Sequence, residues 1–123
     1  MATEVSATEI RNRAAYVLGV VAENETVSST IATDLDNAYL EMYAELEGDQ
    51  LTRWASTQDV PNKYVRAMVT LVAWARINEY PLDQDRYDRL IRAAGPEGER
   101  AKDRIRDANV KAWSDEEIEG NYW

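Results

Sequence analysis

The chain has 123 residues, with 14 basic side chains against 23 acidic ones for a net charge of −9, and it contains neither cysteine nor histidine. That length suits one domain able to bury roughly two-thirds of its unfolded surface without covalent staples. Lacking Cys and His, it cannot use the usual zinc, iron–sulfur or thiol chemistries or the commonest general base near neutral pH, so no enzyme activity, metal or cofactor is expected.

The charge is uneven. Residues 1–60 carry three basic and eleven acidic groups, whereas residues 61–82 carry three basic groups and one acidic. Residues 83–109 balance seven against seven, and residues 110–123 set Lys111 against Asp115, Glu116, Glu117 and Glu119. An acidic first half argues against tight binding to nucleic acid, which rests on clustered Lys and Arg. Residues 1–9, MATEVSATE, lack both the basic and the apolar regions of a signal peptide, so a cytosolic start is expected. Four Trp, seven Tyr and no Phe give every aromatic ring a polar handle, a composition suited to half-buried positions between subunits.

In chain order, Ser6 and Glu9 form a capping box before Ile10, Ala14, Val17, Leu18 and Val21, which repeat at helical spacing. After Ala22 to Ser29 a second helix is predicted from Thr30 to Glu47, with its seam at Ile31, Leu35, Ala38, Met42 and Leu46. Tyr39 and Tyr43 flank that seam and Gly48 stands as the stop. Asp34, Glu41 and Glu45 lie on another face as an acidic stripe, a candidate inter-subunit or channel surface. Asp49 to Val60 reads as an ordered loop, because Leu51, Trp54 and Val60 are too apolar for a solvated linker.

Pro61 then opens a third helix, expected to run until Pro81. Its apolar residues Val65, Met68, Val69, Leu71, Val72 and Trp74 cover most of the circumference, marking a core rod; with Arg66 and Arg76 it is too short and interrupted to span a bilayer. Trp54 is expected to cover Trp74. From Asp83 to Asn109, Tyr87, Ile91, Ala94, Gly98, Ala101, Ile105 and Ala108 keep one seam across a Gly95–Gly98 breaker, as one kinked helix or two in line. Asp85 with Arg89 and Asp88 with Arg92 are favourable i,i+4 pairs. The predicted class is all-α, a compact bundle of four to five helices with an extended C-terminal tail. The helical domain spans 1–109 and a docking tail spans 110–123.

Two carboxylates can perform acid/base hydrolysis, but with 23 acidic residues the pairs Asp34 with Asp36 and Glu41 with Glu45 are expected as a solvated or interface face. Asp83 to Asp85 and Asp115 to Glu117 lack the spacing of a calcium loop. The arginines from Arg86 to Arg106 are interleaved with as many acids, which favours local salt bridges; the alternative is a small helical DNA-binding or regulatory protein using that region. The tail carries Trp113, Ile118, Tyr122 and Trp123 among carboxylates, a pattern of a peptide that orders on docking to a partner.

Two runs carry a family resemblance: Ala14 to Val21 leading to Glu25-Thr26-Val27-Ser28, and Pro61 to Tyr80 with Tyr64, Val65, Ala67, Met68, Val69, Glu79 and Tyr80. Across about residues 6 to 109 the chain resembles the head-to-tail adaptor proteins of tailed bacteriophages, in particular the tail accessory factors of short-tailed phages. There, a first helix ends in Leu-Gly, a Glu-Thr-rich loop leads to the second, and the third opens on a Tyr-Val-x-Ala pattern. The resemblance implies a structural virion protein, assembled in the host cytoplasm, that forms a homo-oligomeric ring, a dodecamer, beneath the portal protein. The ring would extend the DNA channel without specific DNA binding, and it would offer a platform to a tail nozzle or other tail protein, with no membrane contact. The tail residues Trp113, Ile118, Tyr122 and Trp123 are then expected to dock on the portal.

Overall fold

The computed structural model describes residues 4–21 and 25–120, the side chains of 111–120 excepted. It is all-α apart from one two-residue strand pair, which the sequence pattern does not announce. Strand β1 (Glu4–Val5) runs antiparallel to β2 (Val60–Pro61), with Val5 opposite Val60. The helices are α1 (Ala7–Leu18), α2 (Ser29–Gly48), α3 (Asn62–Ala75), α4 (Gln84–Ala94) and α5 (Glu99–Gly120), with a 3-10 turn at Pro96–Gly98.

The helix starts obey side-chain chemistry. Ser6, Ser28 and Asp83 each accept the backbone N–H three residues on, from Glu9, Ile31 and Arg86, so an otherwise orphan donor is met in α1, α2 and α4. Helix α1 stops at Gly19, whose φ of 78° closes a Schellman motif: Val20 N–H reaches Ala15 C=O and Gly19 N–H reaches Tyr16 C=O. At the end of α2 the expected stop, Gly48, is the last helical residue, and the left-handed position is Gln50 at φ 61°.

Pro61 is the N-cap of α3 and not its first helical residue. The helix also ends earlier than Pro81. Arg76, Ile77 and Glu79 donate to carbonyls three residues back, so the chain tightens into successive turns before the proline. The expected span to Tyr80 is corrected to Ala75.

Helix α3 is the centre, packed by every other element. Its Met68, Leu71 and Val72 are fully covered and Val65 is buried, as expected for the rod. Val69 and Trp74 are only half-buried: Val69 faces an open groove between α1 and α4, and Trp74 lies over Gly98. Ala67 and Ala73 supply the remaining close contacts. The loop 49–59 is ordered and buries Leu51 and Trp54, as its composition required.

The Asp83–Asn109 region forms two helices. Gly95 (φ 77°, ψ 177°), Glu97 (φ 54°) and Gly98 (φ 76°) break the ladder and set α5 on a new direction. The single seam expected across the breaker is therefore corrected in its first half. Tyr87 and Ile91 are exposed and Leu90 faces inward in their place, while Ala94, Gly98, Ala101 and Ile105 are buried as expected. Gly98 is needed where it is, since a Cβ there would sit 3.1 Å from Leu71 Cδ2 in a backbone region that L side chains avoid.

Leu71→Ala is expected to cost about 2 to 5 kcal/mol through lost burial and the cavity left behind, and Val72→Ala somewhat less. Urea unfolding monitored by circular dichroism measures both. Two variants that unfold with the parent would remove α3 from the centre of the fold.

Candidate functional site

The acidic stripe of α2 is met inside the chain. Arg76, just past α3, donates Nε to Asp34 Oδ1 at 2.9 Å and grips both oxygens of Glu41 with its two terminal nitrogens, each at 2.9 Å. Tyr80 donates its hydroxyl to the other oxygen of Asp34 at 2.6 Å. Glu45 pairs with Lys102 of α5, a buried ammonium that also lies 3.8 Å from Glu99. Asp34, Glu41 and Glu45 are thus not a free face. They clamp α2 to the end of α3 and to α5.

These contacts set the protonation of the clamp. Burial pushes the Asp34 carboxyl up, but hydrogen bonds from Tyr80 and Arg76, with the guanidinium charge, outweigh it and hold the group below its ordinary 3.8. The hydrogen bonds of Arg76 hold Glu41 below 4.5. Burial, then the bond to Asp34, pushes the Tyr80 hydroxyl up to about 12.

A second cluster absorbs the polar handles of the aromatics. Tyr39 and Tyr43 of α2 stack on each other, Trp54 meets Tyr43 edge-on, and Trp54 stacks on Tyr64 of α3 with centroids 4.7 Å apart. Trp54 Nε1 donates to Tyr39 Oη at 3.1 Å, Tyr43 donates to the Trp54 carbonyl, and Tyr64 donates to Asn109 of α5. Asn109 in turn donates to the Leu51 carbonyl at 3.0 Å. Trp54 therefore covers Tyr64 and not Trp74. These four rings are core residues of one chain, whereas Tyr16 and Tyr87 are exposed.

The open feature is a groove of about 690 Å³ on the side of α3 that α1 and α4 leave uncovered. Tyr16, Val17, Val65, Val69, Leu90 and Ala93 form its apolar floor and walls. Around it stand Arg13 from α1, Arg66 from α3, Arg86 and Arg89 from α4, and Arg104 from α5, and among the described residues no carboxylate lines it. Two of the five are already engaged. Arg13 pairs with Glu9 at 3.1 Å, and Arg86 caps α1 by donating to the Tyr16 carbonyl at 3.0 Å while lying 3.6 Å from Asp83. Arg89 donates only to the backbone carbonyl of Asp85, at 3.3 Å. Among the described residues Arg66 and Arg104 have no hydrogen bond or ion pair.

Sequence reasoning missed this site because it judged the arginines of residues 83–109 by their net balance along the chain. Folding sorts them by face instead. Arg106 turns to Glu99 and Asp103, and Arg100 to the Arg92 carbonyl, while Arg86, Arg89 and Arg104 join Arg13 and Arg66. The spacing carries a signal: Arg86, Arg89, Leu90 and Ala93 fall at i, i+3, i+4 and i+7, one helical stripe mixing apolar and cationic residues. The expected pairs of Asp85 with Arg89 and Asp88 with Arg92 are not formed; Asp88 accepts from Gln84 at 2.8 Å.

Trp113 and Ile118 have side chains outside the described residues, and Tyr122 and Trp123 lie outside them altogether. No helix among the described residues is long and apolar enough to cross a membrane. No protein-family model matches the chain, and neither does any curated protein or solved structure.

Because the folded pKa values of Asp34 and Glu41 lie below the unfolded ones, their stabilisation is present above 3.8 and 4.5 and is lost as pH falls through the folded values. Arg76→Met should therefore lower stability at neutral pH, and the gap to the parent should shrink between about pH 5 and pH 2. Chemical denaturation across that range provides the measurement. A gap that stays constant with pH would mean that Arg76 acts through packing alone.

Proposed function

We propose that this chain is a structural subunit of a head-to-tail adaptor ring in a tailed bacteriophage, seated beneath the portal, extending the DNA channel and giving the tail its platform. The observation that supports this reading is the order and punctuation of the helices that carry the resemblance. The Leu18-Gly19 pair ends α1, the loop containing Glu25 and Thr26 leads to the Ser28 cap of α2, and Tyr64, Val65, Ala67 and Met68 are buried at the head of α3. Glu79 and Tyr80 fall in the turns after α3, where Tyr80 closes the clamp on Asp34.

The physical character of the subunit agrees with a structural part. The polar handles of Tyr43, Trp54, Tyr64 and Tyr80 and the α2 carboxylates of Asp34, Asp36, Glu41 and Glu45 are met within the chain, so each copy brings a well-packed domain to an assembly. A lumen lined by a chain of net charge −9 would repel the phosphate backbone at close range and let DNA pass. A dodecamer is the ring size proposed, the portal and a tail protein are the proposed neighbours, and the virion's head–tail junction is the proposed location.

The second reading, a DNA-binding regulator, draws on the arginine groove and makes an opposite prediction. The adaptor reading expects the protein to co-sediment with portal rings and to show no tight affinity for duplex DNA at physiological salt. Mass measurement of the protein alone and mixed with portal, beside a DNA titration at two salt concentrations, separates them. Tight duplex binding that collapses with added salt, without portal binding, would replace the adaptor by the regulator.

A further inference from the structure

One sequence here holds both halves of a contact. The groove offers guanidinium groups around an apolar floor, and residues 111–123 offer Asp115, Glu116, Glu117 and Glu119 interspersed with Trp113, Ile118, Tyr122 and Trp123. We infer that the groove between α1, α3 and α4 is the seat for the C-terminal segment of a second copy of this chain. The inference takes from the adaptor reading only that copies of the chain meet one another. It gives the segment a seat different from the portal contact suggested by the sequence.

The occupant must match two properties at once. A small anion or a DNA phosphate would satisfy Arg66, Arg89 and Arg104 but leave the exposed Tyr16 ring and the half-buried Val17 and Val69 without an apolar partner. An acidic segment carrying large apolar side chains satisfies both the rim and the floor, with carboxylate–guanidinium pairs of the bidentate kind. Among the described residues, none of α5 after Arg104 lines the groove of its own chain. Helix α5 already contributes Arg104 to the wall, and continuing to Gly120 it carries the chain roughly 24 Å further along its axis at 1.5 Å per residue. The contact is therefore between copies, and it joins unlike patches, the arrangement that builds rings or filaments.

The test is sedimentation velocity on the full chain and its charge reversals. The parent should associate with a strength that rises with concentration and falls with salt. A groove variant, Arg66→Glu with Arg89→Glu, changes two exposed side chains and should keep the helical circular-dichroism spectrum while associating roughly tenfold or more weakly. A tail variant, Glu116→Lys with Glu117→Lys, should do the same. The two weak variants, mixed, should pair through the one native groove and the one native tail left between them, and a chain carrying all four reversals should recover association. A parent that stays monomeric at every concentration would overturn the inference, while its co-sedimentation with portal would still decide the adaptor reading by itself. Reversals that leave association unchanged would also overturn it, as would a groove variant that loses only inorganic-phosphate or short-duplex binding.

Discussion

The fold depends on one constraint, the need to cover a helix that is apolar around most of its circumference. Helix α3 cannot be satisfied by a single partner, since any one helix hides only a stripe of its neighbour. Helices α1, α2 and α5 therefore each take a side, with α4 covering part of another. The chain achieves this in so few residues only by turning sharply between α4 and α5. Gly95 and Gly98 adopt the positive φ values that the turn needs, and the bare Gly98 backbone lets Leu71 and Trp74 approach. An alanine at 98 would have to displace the side chains that define the core.

A core built without Phe carries a second obligation. Each buried Tyr or Trp brings a donor that is costly to leave unmet. The structure meets it for Trp54, Tyr43 and Tyr64 with a chain of contacts: Trp54 donates to Tyr39, Tyr43 donates to the Trp54 carbonyl, and Tyr64 donates to Asn109, which donates to the Leu51 carbonyl. That chain ties the irregular loop 49–59 to three helices, which explains why a stretch without periodicity is ordered. Arg76 performs the equivalent service at the other end of α2, and because it holds two carboxylates at once its loss would leave Asp34 half-buried beside a tyrosine with no cation.

The parts of the fold that were legible from the residues are those governed by local physics. Periodicity and the Ser6 cap located helices of the bundle, since a capping side chain acts on a neighbour three residues away and local chemistry is written locally. The rod was legible because apolar burial is a property of a segment. Partnerships across the chain were not. Nothing at position 34 announces Arg76 or Tyr80, and nothing at Glu45 announces Lys102, so carboxylates that are clamps looked like a free stripe. The seam through Tyr87 and Ile91 failed for a related reason: helical phase carries across a breaker only if the backbone continues straight, and Glu97 at φ 54° changes the direction. The arginine groove was hidden because a net charge summed along the sequence says nothing of which side each residue faces.

That sorting of charge by face bears on how such a subunit would assemble. Internal pairing consumes much of the acidity of α2, and five arginines line one recess that no carboxylate lines among the described residues, so the chain presents an attractive patch within a field that is repulsive overall. Copies of a molecule with net charge −9 resist random association, and only an approach that brings carboxylates to the groove escapes the repulsion. Long-range charge would then select the orientation, while Tyr16, Val17 and Val69 would govern how long a docked segment stays, because residence depends on desolvated apolar contact more than on rim charge. An interface of that design is weak for a single pair and strong when many copies close on one another. At low concentration subunits would stay dispersed, and at higher concentration a completed ring would hold.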